Sequence, residues 1–323
     1  MSVPLVEVVR SGFRECVHRG SVALWADGRL SARSVGAVDV PMFPRSSNKP
    51  FQALAMLRCG LELSDADLAV ACASHSGEPE HLRRVESVLR THGLGEDDLQ
   101  CPPALPGDEE TRHAVLRSGG GPRRLAMNCS GKHAAMLAAC VRAGWSTEDY
   151  RAPSHPLQVE IRRTIEELTG EPVAATAVDG CGAPLAAFSL TGLVRAFASL
   201  VQAPPGTPQR RIADVMRKHP FLVSGTGRED NLMMTAVPGV LSKAGAEGVA
   251  AVALPDGRAA AIKIEDGHAR ARLPVLVGAL RELGVAPSEA LDTLATEPVL
   301  GAGSRVGDVR LMPDVFDLAG QLS

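Results

Sequence analysis

"GVAAVALPDGRAAAIKIEDG", residues 248–267, sets two runs of small and β-branched apolar residues on either side of an Asp256-Gly257 turn and closes on a second turn at Asp266-Gly267. Such dipeptides between apolar runs are hairpin grammar, because glycine takes the positive φ that a tight turn demands. The first 45 residues read the same way, as "LVEVV", "GSVALW", an "ADG" turn and "RLSARSVG". Between the two ends the period changes. "FQALAMLRCGLEL" (51–63), closed by Gly60, "HPLQVEIRRTIEELTG" (155–170) and "LTGLVRAFASLVQ" (190–202) carry helical spacing. "APPGTP" (203–208) reads as a loop, "QRRIADVMRKHPFLV" (209–223) as a further helix, and "LPVLVGALRELG" (273–284) as a helix after the second hairpin. Strands at both termini with helices between them predict an α+β fold. Residues 1–48 and 218–323 are expected to build an antiparallel sheet domain with flanking helices. Residues 49–217 are expected to form an inserted, mainly helical domain, with an active site between the two.

At 323 residues the chain exceeds the length at which one core usually stops growing, in keeping with that division. Hydrophobic residues make up 45% and charged residues 22%, with a net charge of -3, which offers no broad basic surface for nucleic acid. A small polar molecule is the expected partner. The start "MSVPLVEVVRSGF" has no basic region leading into a long apolar stretch, and no run of about 18 apolar residues occurs elsewhere. The expectation is therefore a cytoplasmic protein without a membrane partner. Seven cysteines without paired spacing argue against a disulfide framework. Only five of the 34 basic residues are lysine, at 49, 132, 218, 243 and 263. Burial can turn a lysine into a neutral amine able to take a proton or bind a metal, whereas arginine stays charged. Each lysine in so arginine-rich a chain therefore merits inspection.

Ser46 and Lys49 stand three apart at the entrance of a helix, so the amine can reach the hydroxyl. A serine attacks only when a base removes its proton, and a desolvated lysine can be that base. The plainer reading is an N-cap serine and a surface lysine. "ACASHSGEPEH" (71–81) runs from small residues straight into a polar turn and offers Ser74 as a second nucleophile. His75 beside it suggests a Ser-His pair, although adjacent side chains usually point apart. "NCSGKH" (128–133) puts Cys129 and Lys132 on one helical turn, and "VDGCGAP" (178–184) holds Cys181 in a glycine-flanked loop. Two thiolates and a neutral amine make a three-donor metal site; two buried filler cysteines are the alternative, and either thiol could itself be a nucleophile. "HPFLVSGTGREDN" (219–231) offers backbone N-H groups and Arg228 to a carboxylate or oxyanion. Lys243 in "SKAGAEG" resembles the lysine element of penicillin-recognising serine enzymes. Lys263, in strand alternation, reads as structural.

Taken in order, "RSSNKPFQAL", "CASHSGEPEH", "NCSGKHAAML", "VDGCGAP", "HPFLVSGTGR" and "SKAGAEG" resemble the asparaginase II family, the Rhizobium-type L-asparaginases. That resemblance implies hydrolysis of L-asparagine to L-aspartate and ammonia on a fold similar to serine β-lactamases and glutaminases. It implies two Ser-Lys tandems, Ser46 with Lys49 and Ser74 with Lys243. It also implies a zinc site at Cys129, Lys132 and Cys181, with the metal not necessarily essential for turnover, and a homodimer. Arg45 and Asp179 then line the substrate pocket, with His133 and Arg228 assigned to it as well. Of the two serines, Ser46 is favoured as the attacker because its lysine is local. The competing readings are a glutaminase or another β-lactamase-like serine amidohydrolase, a cysteine amidohydrolase using Cys181, and a non-catalytic asparagine-binding protein.

Overall fold

A computed structural model describes residues 1–320 of the chain. In chain order its strands are β1 (Val3–Arg10), β2 (Phe13–Ala26), β3 (Arg29–Leu30), β4 (Ala175–Val178), β5 (Pro184–Ala187), β6 (Leu241–Ala244), β7 (Val249–Ala253), β8 (Ala259–Ile264), β9 (Thr296–Gly301) and β10 (Ser304–Leu311). The helices are α1 (Lys49–Arg58), α2 (Asp65–Ala71), α3 (Pro79–Thr91), α4 (Glu109–Arg117), α5 (Ser130–Ala143), α6 (Pro156–Thr169), α7 (Leu190–Gln202), α8 (Pro208–Lys218), α9 (Pro220–Ser224), α10 (Glu229–Ala236), α11 (Arg272–Glu282) and α12 (Glu289–Thr293). Two compact units emerge: residues 1–47, 188–202 and 233–323, and residues 48–187 and 203–232.

The first unit is built on an antiparallel sheet in the order β6-β7-β8-β2-β1-β10-β9, with β3 paired to β2. The quoted hairpin lies within it: Ala253 pairs with Ala259 across the Asp256-Gly257 turn, where Gly257 has φ +91°. Ser11-Gly12 joins β1 to β2, and Asp27-Gly28 joins β2 to β3, with both residues of each pair at positive φ. Those are the backbone angles of a two-residue hairpin turn. Every residue of β7 is buried, and in β8 only Lys263 is not fully so. A strand buried on both faces must be covered on both, and α7 and α11 are helices in contact with β7 and β8. The alanines at 250, 251, 253, 259, 260 and 261 lack the bulk to hold those helices off. Three expectations need correction. Helix α7, expected with the helical domain, packs on this sheet, and residues 218–232 belong to the other unit. "RLSARSVG" contributes only the short β3 before the chain leaves the sheet, keeping a single bridge from Val35 to Val22. The hairpin β9–β10, turning at Ala302-Gly303, adds two strands that the sequence marks poorly.

The second unit is helical, apart from the pair β4–β5. Helix α5 is its centre, touching α1, α2, α3 and α6, and its residues 130–140 are all buried. A helix covered all round needs an interior sequence, and "SGKHAAMLAAC" supplies small and apolar residues for it. The cover is close. A methyl group on Gly131 would lie 2.4 Å from the Val70 carbonyl oxygen. The same burial carries Lys132 and His133 into the interior, so two polar side chains must find partners there. Among the described residues no helix is long and apolar enough to cross a membrane.

Candidate active site

Within the helical unit, Lys49 opens α1 and is 1% exposed. Its Nζ lies 3.0 Å from Ser74 Oγ and also donates to the Ala73 carbonyl. The lysine thus reaches a serine 25 residues along the chain. Ser74 stands where the polypeptide leaves α2, and its amide donates to Val223 O at 3.0 Å. His75 beside it is completely buried and fully committed. Ser130 Oγ gives its proton to Leu125 O at 2.7 Å, so it accepts from His75 Nε2 at 2.9 Å, while His75 Nδ1 accepts from the Gly77 amide at 3.2 Å. Burial holds His75 neutral, well below its ordinary pKa. With both ring nitrogens engaged, His75 is not a base for Ser74, and the turn it braces presents that serine to Lys49.

The second cluster surrounds the start of α5. Cys129, Lys132 and Cys181 are all buried, and Lys132 Nζ lies 3.1 Å from Cys181 Sγ. Cys129 Sγ lies 3.2 Å from the Asn128 side-chain amide. Hydrogen bonding between the two thiols, against the cost of burial and with the charges of Lys49 and Lys132 nearby, holds Cys129 well below its ordinary value. The same bond leaves Cys181 above its own. Burial pulls the Lys132 amine down, but Cys181, Cys129 and Asp179 outweigh it and hold it up. Asp179, half-buried in the loop before Cys181, turns one carboxylate oxygen to its own Gly180 amide at 2.8 Å.

Two residues that sequence reasoning missed complete the surroundings. Tyr150, the only tyrosine in the chain, is fully buried; its hydroxyl lies 2.7 Å from His133 Nδ1 and accepts from the Gln100 amide at 3.1 Å. His133 is itself fully buried, with Cys181 on its other side, and burial holds its imidazole below the ordinary value. It lies in the interior as a neighbour of the Cys181 thiol. Glu78 is the other omission, tied to Ser76 and Thr226. Rarity was the one available signal for Tyr150. For Glu78 its place in a helix-entry turn read as capping.

The sheet unit carries the remaining candidates except Arg228, which belongs to the helical unit. Ser46 follows Arg45, which sits at φ +54°, a strained angle for a residue with a side chain. Arg45 pairs with Glu247 at 3.5 Å. Ser47 is buried and gives its hydroxyl proton to Pro44 O at 2.7 Å, which leaves Ser46, half-buried, as the serine of that motif to be considered for chemistry. Residues 45–48 form a 3-10 turn that runs directly into α1, so Ser46 and Lys49 are one helical turn apart. Lys243 is fully buried on β6, opposite Ala251, with its Nζ donating to Ala244 O at 2.8 Å. Lys263 on β8 donates to the Glu247 carbonyl. Arg228 is exposed, in the loop before α10.

Two interior lysines thus stand out, one against a serine hydroxyl and one against a cysteine thiol. The chain belongs to the L-asparaginase II family, whose model matches residues 6–311. No curated protein matches the sequence. Among solved structures, a candidate beta-lactamase from Bacteroides dorei DSM 17855 is 13% identical, with 81% of this chain and 92% of that one covered at a TM-score of 0.43. EstCE1, a hydrolase with promiscuous acyltransferase activity, is also 13% identical, with 81% and 88% covered at a TM-score of 0.36. At these TM-scores neither likeness bears on the chemistry.

Proposed function

We propose that the protein is an L-asparaginase, hydrolysing the side-chain amide of L-asparagine to L-aspartate and ammonia. Family membership supports the amidohydrolase class. The observation that carries the reading is the 3.0 Å approach of Lys49 Nζ to Ser74 Oγ in the interior. A neutral amine at that distance accepts the hydroxyl proton as the serine oxygen adds to the amide carbon. The C–N bond then breaks, Lys49 passes the proton to the departing nitrogen, and ammonia leaves behind an ester on the serine. Water attacks that ester, returns the proton to the serine and frees aspartate. Ser74 is the attacking residue in this scheme, because it is the serine at bonding distance from Lys49. Ser46, one turn before Lys49, and Lys243 form the second hydroxyl and amine of the scheme, and Asp179 and Arg228, with Arg45, are assigned to the amino and carboxylate groups of the substrate.

The residues around α5 fit zinc. Two buried thiols are good donors, and Lys132 Nζ already lies beside one of them. Among the described residues no group of three His, Cys, Asp or Glu side chains could hold a metal, so the site depends on Lys132 as a donor. Cys129, Lys132 and Cys181 would hold the ion, which supplies a Lewis-acid centre when bound. Lys132 then serves as a neutral amine, a role an arginine cannot take.

The test pairs ammonia release from asparagine and from glutamine, and the colour change of nitrocefin on β-lactam opening, with mass spectrometry of a trapped ester. Asparagine-dependent ammonia and an acyl group on Ser74 are expected. An acyl group on Ser46 would reassign the attack, one on Cys181 would replace the serine chemistry, and no ammonia from asparagine would sink the reading. Light scattering addresses the homodimer that the family resemblance implies.

A further inference from the structure

Glu78 stands at the entrance of α3 and gathers three donors onto one carboxylate. Oε1 accepts from Ser76 Oγ at 2.7 Å and from the Thr226 amide at 2.8 Å, and Oε2 accepts from Thr226 Oγ1 at 2.9 Å. Thr226 belongs to the loop 225–228 between α9 and α10. Gly225 presses that loop against the Ser74 turn so closely that a methyl group there would lie 2.0 Å from Ser76 Oγ and 2.7 Å from Glu78 Oε1. Gly225 also has φ +113°, which a side chain would strain. The far end is pinned by backbone, where the Ser74 amide donates to Val223 O at 3.0 Å. Asn231 Nδ2 holds the Gly225 carbonyl at 3.1 Å from the α10 side.

The two segments are thus joined twice, by a backbone bond at Ser74 and by a carboxylate at Glu78. Only an ionised carboxylate accepts all three protons; an amide would turn an NH2 group toward one of the donors. Burial pushes the Glu78 carboxyl up, but the bonds from Thr226 and Ser76 outweigh it and hold it below its ordinary value. The loop held in this way carries Arg228, whose amide bonds to Gly225 O at 3.3 Å.

We propose that Glu78 is a positioning residue that clasps the 225–228 loop, and Arg228 with it, against the Ser74 turn, and so sets substrate affinity rather than the acyl chemistry. The identity of the substrate rests on the asparaginase reading; the clasp rests on geometry alone.

The experiment compares full-length wild type with Glu78→Ala, Glu78→Gln, Thr226→Val and the Glu78→Ala, Thr226→Val double variant. It reads KM and kcat for asparagine by ammonia release, and amide hydrogen exchange of the peptide spanning 225–228. Loss of hydrogen bonds to a charged group predicts a rise in KM of about tenfold for Glu78→Ala, with kcat changed far less. Exchange of the Thr226 amide should quicken by a similar factor, Glu78→Gln should fall between, and the double variant should be no worse than Glu78→Ala. A fall in kcat with unchanged KM in Glu78→Gln would overturn the proposal by placing Glu78 in the chemistry. Unchanged exchange would overturn it by removing the clasp. Exchange is read whether or not asparagine is hydrolysed, so an inactive wild type would sink the functional reading and leave the clasp to its own test. Should Glu78→Ala fail to fold, Glu78→Gln and Thr226→Val decide by the same two readouts.

Discussion

Lys49 and Lys132 are both buried within the helical unit, yet their surroundings differ in kind. At the head of α1, Lys49 bonds oxygen, the Ala73 carbonyl and the Ser74 hydroxyl, and also reaches toward Cys129. On α5, Lys132 faces sulfur and a carboxylate, with Cys181 at 3.1 Å and the charges of Cys129 and Asp179 holding its amine up. An amine beside a hydroxyl can exchange a proton with it. An amine beside buried thiols either stays charged or releases its proton to solvent when a metal takes the whole donor set. The sequence reading already separated the two, as a base and as a metal donor, and the partners each one meets are what the proposed roles rest on.

Removing each lysine should break that contrast in a different observable. Lys49→Ala is expected to lower kcat for asparagine by about 10^3-fold, the range of a positioned base, with zinc content unchanged. Ser74→Ala should cost as much, and the double variant little more, because groups that act as a unit are not additive. Equal loss of metal and turnover in Lys49→Ala would erase the distinction. Lys132→Met should act the other way, removing a donor of the proposed zinc site and the amine that lies against Cys181. Breaking a buried ion pair costs about 3 to 5 kcal/mol, so urea unfolding should show a loss of that order. Lys132→Arg should not restore the metal, since a guanidinium has no lone pair to offer.

Much of the sheet was legible because turns are local. Asp27-Gly28, with both residues at positive φ, and Asp256-Gly257, with Gly257 at positive φ, announce hairpins with no knowledge of what lies across the sheet. The β9–β10 hairpin escaped because "TEPVLGAGSRVGDVRL" contains Pro298 and several glycines and lacks clean alternation, so its pairing comes from β1 beside it. Cys129 and Lys132 were readable as neighbours on one turn. The approach of Lys49 to Ser74 was not, because spacing predicts contacts within a turn and this one is made by packing α1 against the exit of α2. The burial of His133 was not legible for a related reason: it depends on α5 being covered on all sides, which "KHAAMLAAC" implies only once the whole helix is taken as interior.

Tyr150→Phe probes how far the thiol cluster depends on its surroundings. Loss of the hydroxyl strands the Gln100 amide and His133 Nδ1, and an unsatisfied buried group costs about 1 to 3 kcal/mol. Thermal unfolding should register that loss while kcat stays within about a factor of three, whereas Lys132→Met should lose the metal outright. A drop in kcat to the level of Lys49→Ala would tie the tyrosine to the chemistry.

The smallest expected effect lies in His75, which joins the two regions by following Ser74 and bonding Ser130 at the start of α5. Burial keeps its imidazole neutral in the folded state, whereas the unfolded chain protonates near the ordinary value of 6.5. Between the depressed folded value and 6.5 the unfolded state therefore binds the extra proton, and stability must fall as the pH drops through that window. Above 6.5 neither state is protonated and the effect vanishes. One proton changes the unfolding free energy by at most about 1.4 kcal/mol per pH unit. His81, stacked on His75 at 5.2 Å and also depressed by burial, adds a slope of the same sign. His75→Gln should remove one share of that slope in urea titrations between about pH 5 and 7, within the window set by the ordinary histidine value. An unchanged slope would mean that His75 takes up its proton in the folded state, and its bond to Ser130 would then not hold the Ser74 turn in the way the geometry indicates.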